Sequence, residues 1–213
     1  MAVTGLGLFA FVVAHLLGNL QIFLGPDQIN AYGAFLQSKP ELVWSARIGL
    51  LVLVILHIWA AISLSAENRA ARPKGYANQR PVGSSYASRT MLMSGLIIFC
   101  FIVYHLLHFT VQVPAVNLTG QDFVRLEDQA HRHDVYRMMV IGFSNIWVSL
   151  FYIVGMVLLC LHLSHGVSSM FQSLGAKNRK YATAIDRFAL ASAIILIVGF
   201  CSIPIAILAG IVK

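Results

Sequence analysis

The chain has 213 residues, of which 58% are hydrophobic and only 11% charged, and its mean hydropathy is +0.77. A soluble domain carries about 25% charged residues, so composition excludes an ordinary soluble fold and places this chain in a membrane. The formal net charge of +7 belongs to loops and span ends, which gives little support to a nucleic-acid partner.

About 20 helical residues cross a bilayer. Five apolar stretches meet that length, at 2–24, 44–66, 90–113, 144–170 and 188–212. The expected fold is all-α: one integral membrane domain over 1–213 with five transmembrane helices. The first stretch has neither a basic leader nor a small-residue cleavage site, so it is read as a retained helix. Two outer loops are long enough for short amphipathic helices, expected near 28–38 and 120–131.

Loop charges set the expected orientation. Between spans two and three, Arg69, Arg72, Lys74, Arg80 and Arg89 face one acid, Glu67. Between spans four and five, Lys177, Arg179, Lys180 and Arg187 face only Asp186. The loops on the other side are balanced: Lys39 and Arg47 against Asp27 and Glu41, then Arg125, Arg132 and Arg137 against Asp122, Glu127, Asp128 and Asp134. Positive charge stays inside, so loops 67–89 and 171–187 are expected in the cytoplasm. The N-terminus is then cytoplasmic and the C-terminus outside, in the inner membrane of the cell.

Cys100, Cys160 and Cys201 are single residues within spans. No C-x-x-C-H motif attaches a c-type haem, and no paired cysteines suggest zinc or an iron–sulfur cluster. They read as small apolar fillers.

The histidines carry more. Six of eight lie in spans: His15, His57, His105, His108, His162 and His165; His131 and His133 fall in an outer loop and are expected to be solvated. Ionisable side chains at membrane depth are costly and mark function by default. A proton or ion pathway brings carboxylates into the spans, and here no acid lies well inside one. Neutral imidazoles without carboxylates fit ligands to a metal centre embedded in hydrocarbon, and haem between facing helices is such a centre.

Depth can be counted from the helical rise of about 1.5 Å per residue. From the cytoplasmic face, His15 lies about 20 Å deep and His105 about 22 Å, while His57 lies at about 14 Å and His162 at about 12 Å. His108, at about 27 Å, and His165, at about 8 Å, match neither level as well. Two level pairs emerge, His15 with His105 and His57 with His162, as a two-haem, bis-histidine bundle requires. Gly18, Gly155 and Gly166 share the histidine faces of their helices and are expected to let a flat macrocycle approach the backbone.

Several stretches carry a family resemblance: "MAVTGLGLFAFVVAHLLGNLQIF", "YHLLHF", "HDVYRMMVIGF", "GFCSIPI" and above all "HLSHGVSSMFQSLGAKNRKY". Together they resemble the cytochrome b membrane anchor of succinate:quinone oxidoreductases, in the form where one five-span polypeptide holds two b haems. The likeness covers nearly the whole chain, and its H-L-x-H-G-x-x-S-x-F-Q-x-L-G run is long and specific. It implies that His15, His57, His105 and His162 are the axial ligands. It also implies a flavoprotein subunit acting on succinate or fumarate, and an iron–sulfur subunit between it and the membrane. Two features depart from the family: Ile146 stands where a proline is often found early in span four, and no basic segment precedes span one.

The expected role is therefore electron transfer from the iron–sulfur subunit through two haem b groups to a membrane quinone, menaquinone or ubiquinone. The chain itself would perform no chemistry on succinate, and membrane lipid and a higher oligomer of the complex belong to the same expectation. Near the outer haem level, Asn19 and Gln21 are candidates for the quinone's vicinity. Ser63 and Arg89 are candidates at the cytoplasmic edge, for quinone or for haem propionates. His108 and His165 sit one turn beyond a ligand on the same face; they suit a propionate, a substitute ligand or, the preferred reading, a polar contact between helices. The cations after span four lie at the negative pole of its helix and suit the iron–sulfur partner or a snorkelling collar. Two alternatives stay open: a dihaem cytochrome b of another quinone-linked dehydrogenase, such as a formate dehydrogenase or hydrogenase, and a haem-free transporter or metal carrier built on the two H-x-x-H turns.

Overall fold

The computed structural model describes residues 1–71 and 86–213. Arg72, Lys74 and Arg80, three of the basic residues used for orientation, lie outside the described residues. Among the described residues the structure is all-helical, with no strand and a single antiparallel bridge between Glu127 and His133.

The elements in order are α1 (Ala2–Asn19), extended by a 3₁₀ turn Leu20–Leu24; α2 (Pro26–Gln37); α3 (Pro40–Ala70); α4 (Tyr86–Arg89); α5 (Met91–His105), extended by a π turn Leu106–Thr110; α6 (Val135–Ser144); α7 (Ile146–Ser173); and α8 (Ala182–Leu208). Five segments are long and apolar enough to cross a membrane: Ala2–Leu24, Pro40–Ala70, Met91–Thr110, Ile146–Ser173 and Ala182–Leu208. Such a chain is compatible with a multi-pass membrane protein.

Local chemistry sets the boundaries. Pro26 and Pro40 open α2 and α3 at positions where a missing N–H costs nothing. Asn145 caps α7, its Oδ1 accepting from the N–H groups of Trp147 and Val148. At the other end Gly175, with φ +77°, turns the chain out of the helix; Ala176 N–H donates to the Phe171 carbonyl and Gly175 N–H to that of Gln172.

The outer loops differ from expectation in one respect. A helix does form over Pro26–Gln37, but the second lies later than 120–131, as α6 at Val135–Ser144. Residues 120–131 hold only a 3₁₀ turn, Phe123–Arg125, because short polar side chains bend the backbone there. Asp122 accepts from Val124 N–H, and Asp128 accepts from Ala130 and Arg132 N–H. A polar knot fastens this loop to α2. Asn30, only 1% exposed, donates to Asp128 and Asp134 and accepts from Tyr136 N–H. Arg132 bridges Asp27 and Asp128 at 2.8 and 2.7 Å.

Four spans form a square. α1 packs on α3 and α7, and α5 packs on α7 and lightly on α3. Hence α1 faces α5, and α3 faces α7, across the diagonals. α8 stands outside the square along α7, with Leu16 of α1 filling the gap at Gly199. A hydrophobic cluster that includes Ile22, Ile29, Phe143 and Val148 forms where the 3₁₀ turn, α2, α6 and α7 meet. No residue of α3 is buried.

Candidate functional site

Both diagonals are bridged by histidine. The rings of His15 on α1 and His105 on α5 have centroids 5.7 Å apart and planes inclined at 83°. Those of His57 on α3 and His162 on α7 are 6.5 Å apart at 62°. The partners are the ones counted from depth, but the levels differ: His57 meets Thr4 and His162 meets Ser94, so the second pair lies nearer the starts of α1 and α5 than the count placed it. An imidazole nitrogen binds a metal at about 2.0–2.1 Å with the ring centre about 1.1 Å behind it, so two imidazoles trans on one iron have centroids about 6.3 Å apart. The His57/His162 spacing is close to that distance, and the His15/His105 spacing is shorter than it.

Surroundings differ between the pairs. Beside the His57/His162 pair the facing helices carry glycine. A β-carbon at Gly5 would stand 3.7 Å from Cε1 of His57, and one at Gly95 would stand 3.5 Å from Cε1 of His162. A methyl group at either position would be in van der Waals contact with an imidazole. These two glycines, rather than Gly18, Gly155 and Gly166, give the histidines room. Gly18 faces Tyr32, Gly155 faces Phe101 and Gly166 faces Met91.

No family model, curated protein or solved structure matches the chain. Among the described residues no group of three or more His, Cys, Asp or Glu is arranged to hold a metal ion. A macrocycle that brings its own four equatorial nitrogens asks the protein for two donors only, and each diagonal supplies two.

Around the His15/His105 pair the packing is aromatic. Phe11 stacks on His15 at 5.3 Å, and Phe101 stacks on His105 at 6.1 Å. The π turn begins immediately after His105 and brings His108 inward, where it is fully buried against Phe109 with centroids 3.9 Å apart. Its Nδ1 lies 3.0 Å from the Tyr152 hydroxyl, which is also 3.4 Å from Nδ1 of His105. His108 thus touches the site through Tyr152, a residue the sequence reading did not single out.

The remaining candidates sit further out. Asn19 turns back to donate to the His15 carbonyl at 2.8 Å, and Gln21 accepts from Gln28 at 3.1 Å. Ser63 is partly exposed on α3, and Arg89 is exposed at the end of α4. His165 meets Ser169 at 3.0 Å in a shallow polar recess of about 330 Å³ that also includes Gln172, Lys177 and Asp186. Lys177 and Asp186 are paired there at 2.7 Å. His131 is 90% exposed beside Glu127, whereas His133 is partly covered and contacts Gln112 at 3.1 Å.

Proposed function

We propose that this chain is the dihaem cytochrome b anchor of a succinate:quinone oxidoreductase, with one haem held by His15 and His105 and the other by His57 and His162. The observation that carries the reading is the pair of bridged diagonals. Two imidazole pairs, each meeting between facing helices, would offer two donors apiece to a metal centre. Helices α1 and α5 stay apart, as do α3 and α7, so each pair of rings reaches across a gap between the backbones. The choice of succinate as the partner's substrate rests on the sequence resemblance, chiefly the run from His162 to Tyr181.

His15 with His105 and His57 with His162 would hold the b haems, and the haems would supply one-electron transfer through the membrane. The chain's own contribution is geometric and electrostatic. Its histidines would ligate from helices rather than loops, and aromatic rings pack around the His15/His105 level. The basic residues after α7 suit docking of an iron–sulfur subunit on that side.

The direct test is haem stoichiometry and spectrum. The detergent-purified chain, expressed with its genomic neighbours, should yield two acid-acetone-extractable haem b per polypeptide, both low-spin and reducible by succinate through co-purified subunits. One haem per chain or a high-spin ferric signal would refute the four-ligand assignment. Two haems with a different dehydrogenase attached would move the protein to another quinone-linked complex. A chain with no haem absorbance would leave the histidines to a transporter.

A further inference from the structure

Two hydroxyl groups meet the His57/His162 pair in the same way. Thr4 Oγ1 lies 3.1 Å from Nδ1 of His57 and 2.8 Å from the Met1 carbonyl oxygen. Ser94 Oγ lies 3.2 Å from Nδ1 of His162 and 3.1 Å from the Met91 carbonyl oxygen. A hydroxyl has one proton to give, and a carbonyl oxygen can only accept. With that proton directed to the carbonyl three residues back, each hydroxyl is left as an acceptor toward the imidazole. The imidazole must then carry its proton on Nδ1, which leaves the Nε2 lone pair free on the opposite edge of the ring. Thr4 and Ser94 therefore select one tautomer in both histidines.

The arrangement is built into the two helices that supply the other pair. Thr4 precedes His15 on α1 by the same interval that separates Ser94 from His105 on α5, eleven residues in each case. Eleven residues make close to three helical turns and about 16 Å of rise, so hydroxyl and histidine share a face at two levels. Each of these helices carries an imidazole of one pair and a hydroxyl that meets the other pair. Gly5 and Gly95, adjacent to Thr4 and Ser94 in the chain, provide the clearance beside the same rings.

We propose that Thr4 and Ser94 are positioning residues that fix the tautomer and orientation of His57 and His162, so that Nε2 of each faces a haem iron. This rests on the dihaem reading and refines it. An imidazole that donates through Nδ1 is a more basic ligand at Nε2, and a more basic ligand favours ferric over ferrous iron. Removing the hydroxyl should therefore raise the midpoint potential of this haem alone. It should also weaken its retention about 10- to 100-fold.

The experiment is a redox titration and low-temperature EPR of the purified holo-complex carrying Thr4→Val, Thr4→Ser, Ser94→Ala or Ser94→Thr. Thr4→Val and Ser94→Ala should each raise one potential and move one low-spin signal, the same one in both, and speed haem loss to a scavenger apoprotein. Thr4→Ser and Ser94→Thr, which keep the hydroxyl, should restore wild-type behaviour. If Thr4→Val does not insert, Ser94→Ala reads the same site from the other ring. Two haems in the wild type with unchanged potentials and signals in Ser94→Ala would overturn the positioning role and leave the dihaem reading standing. A wild-type protein without haem would overturn both.

Discussion

The Tyr152 hydroxyl lies 3.0 Å from Nδ1 of His108, inside a cluster of rings where His108 has no exposed surface. Among the described residues the second ring nitrogen of His108, Nε2, has no hydrogen-bond partner. Tyr152 also reaches Nδ1 of His105, so one hydroxyl serves two imidazoles. Removing it with Tyr152→Phe strands a buried donor or acceptor on His108, which costs about 1–3 kcal/mol. Thermal unfolding in detergent should show that loss. The double variant Tyr152→Phe/His108→Phe should be less damaged than the sum of its parts, with a coupling of about 0.5–3 kcal/mol. His108→Phe alone should keep both haems, because its ring approaches Tyr152 rather than a partner on α1.

Ligand substitutions should sort by diagonal. His57→Ala and His162→Ala should share one spectral defect, and His15→Ala and His105→Ala should share the other, each sparing the second haem. His165→Ala should leave both, since that ring is engaged by Ser169 on its own helix. Difference spectra of the reduced proteins check the grouping. If His57→Ala and His105→Ala affected the same haem, the diagonal assignment would be wrong.

Gly155→Ala should be destabilising. A β-carbon there would come to 2.6 Å from Cδ2 of Phe101, a buried ring that stacks on His105. Overpacking of this kind costs about 1–3 kcal/mol. Displacement of Phe101 should be felt at the His15/His105 level first. Thermal unfolding gives the magnitude, and the haem spectrum shows which level responds. At Gly166 the nearest atom would be Met91 Cε at 3.8 Å, so Gly166→Ala should be nearly silent.

The outer loop should loosen in acid. The Arg132 guanidinium, hydrogen-bonded to Asp128, holds that carboxyl down at about 2, with the Arg132 and Ala130 N–H groups and Asn30 assisting against desolvation. A depressed folded pKa contributes stability that is fully present above the unfolded value of about 3.9. That contribution is lost as pH falls from about 4 to about 2. Hydrogen exchange across residues 117–134 should accelerate over that window. Asp128→Asn should be faster at neutral pH and flat through the same range.

The spans and the grouping of the histidines were readable because both depend on counting, apolar length for one and a constant rise per residue for the other. The levels were not: the count set the two pairs about 8 Å apart, whereas His57 meets Thr4 and His162 meets Ser94, eleven residues or about 16 Å along the helix from His15 and His105. α6 was missed because "VYRMMVIGFS" runs into the next span with only Asn145 between them, and a hydropathy profile does not register a single capping residue. The π turn after His105 left no trace in residue type, so the inward position of His108 had to come from coordinates. Thr4 and Ser94 did leave a trace, a hydroxyl and a histidine eleven apart on two helices. Small hydroxyl residues are common in membrane helices, and only the contact with a second helix separates these two from the rest. Gly18 and Gly155 were read as leaving room beside the histidines, but the structure sets Tyr32 against one and Phe101 against the other.

The crossed diagonals bear on how such a chain is made. Spans enter the membrane in order from the ribosome, and His15 finds His105 only when α5 has followed α1 and α3. His57 waits longer still, until α7 is in place. Each pair is thus interrupted by a helix belonging to the other, and a chain halted after two spans holds two histidines that have nothing to share. On the proposed dihaem reading, cofactor capture would trail synthesis by at least one whole span, and the His15/His105 level would be ready to load first.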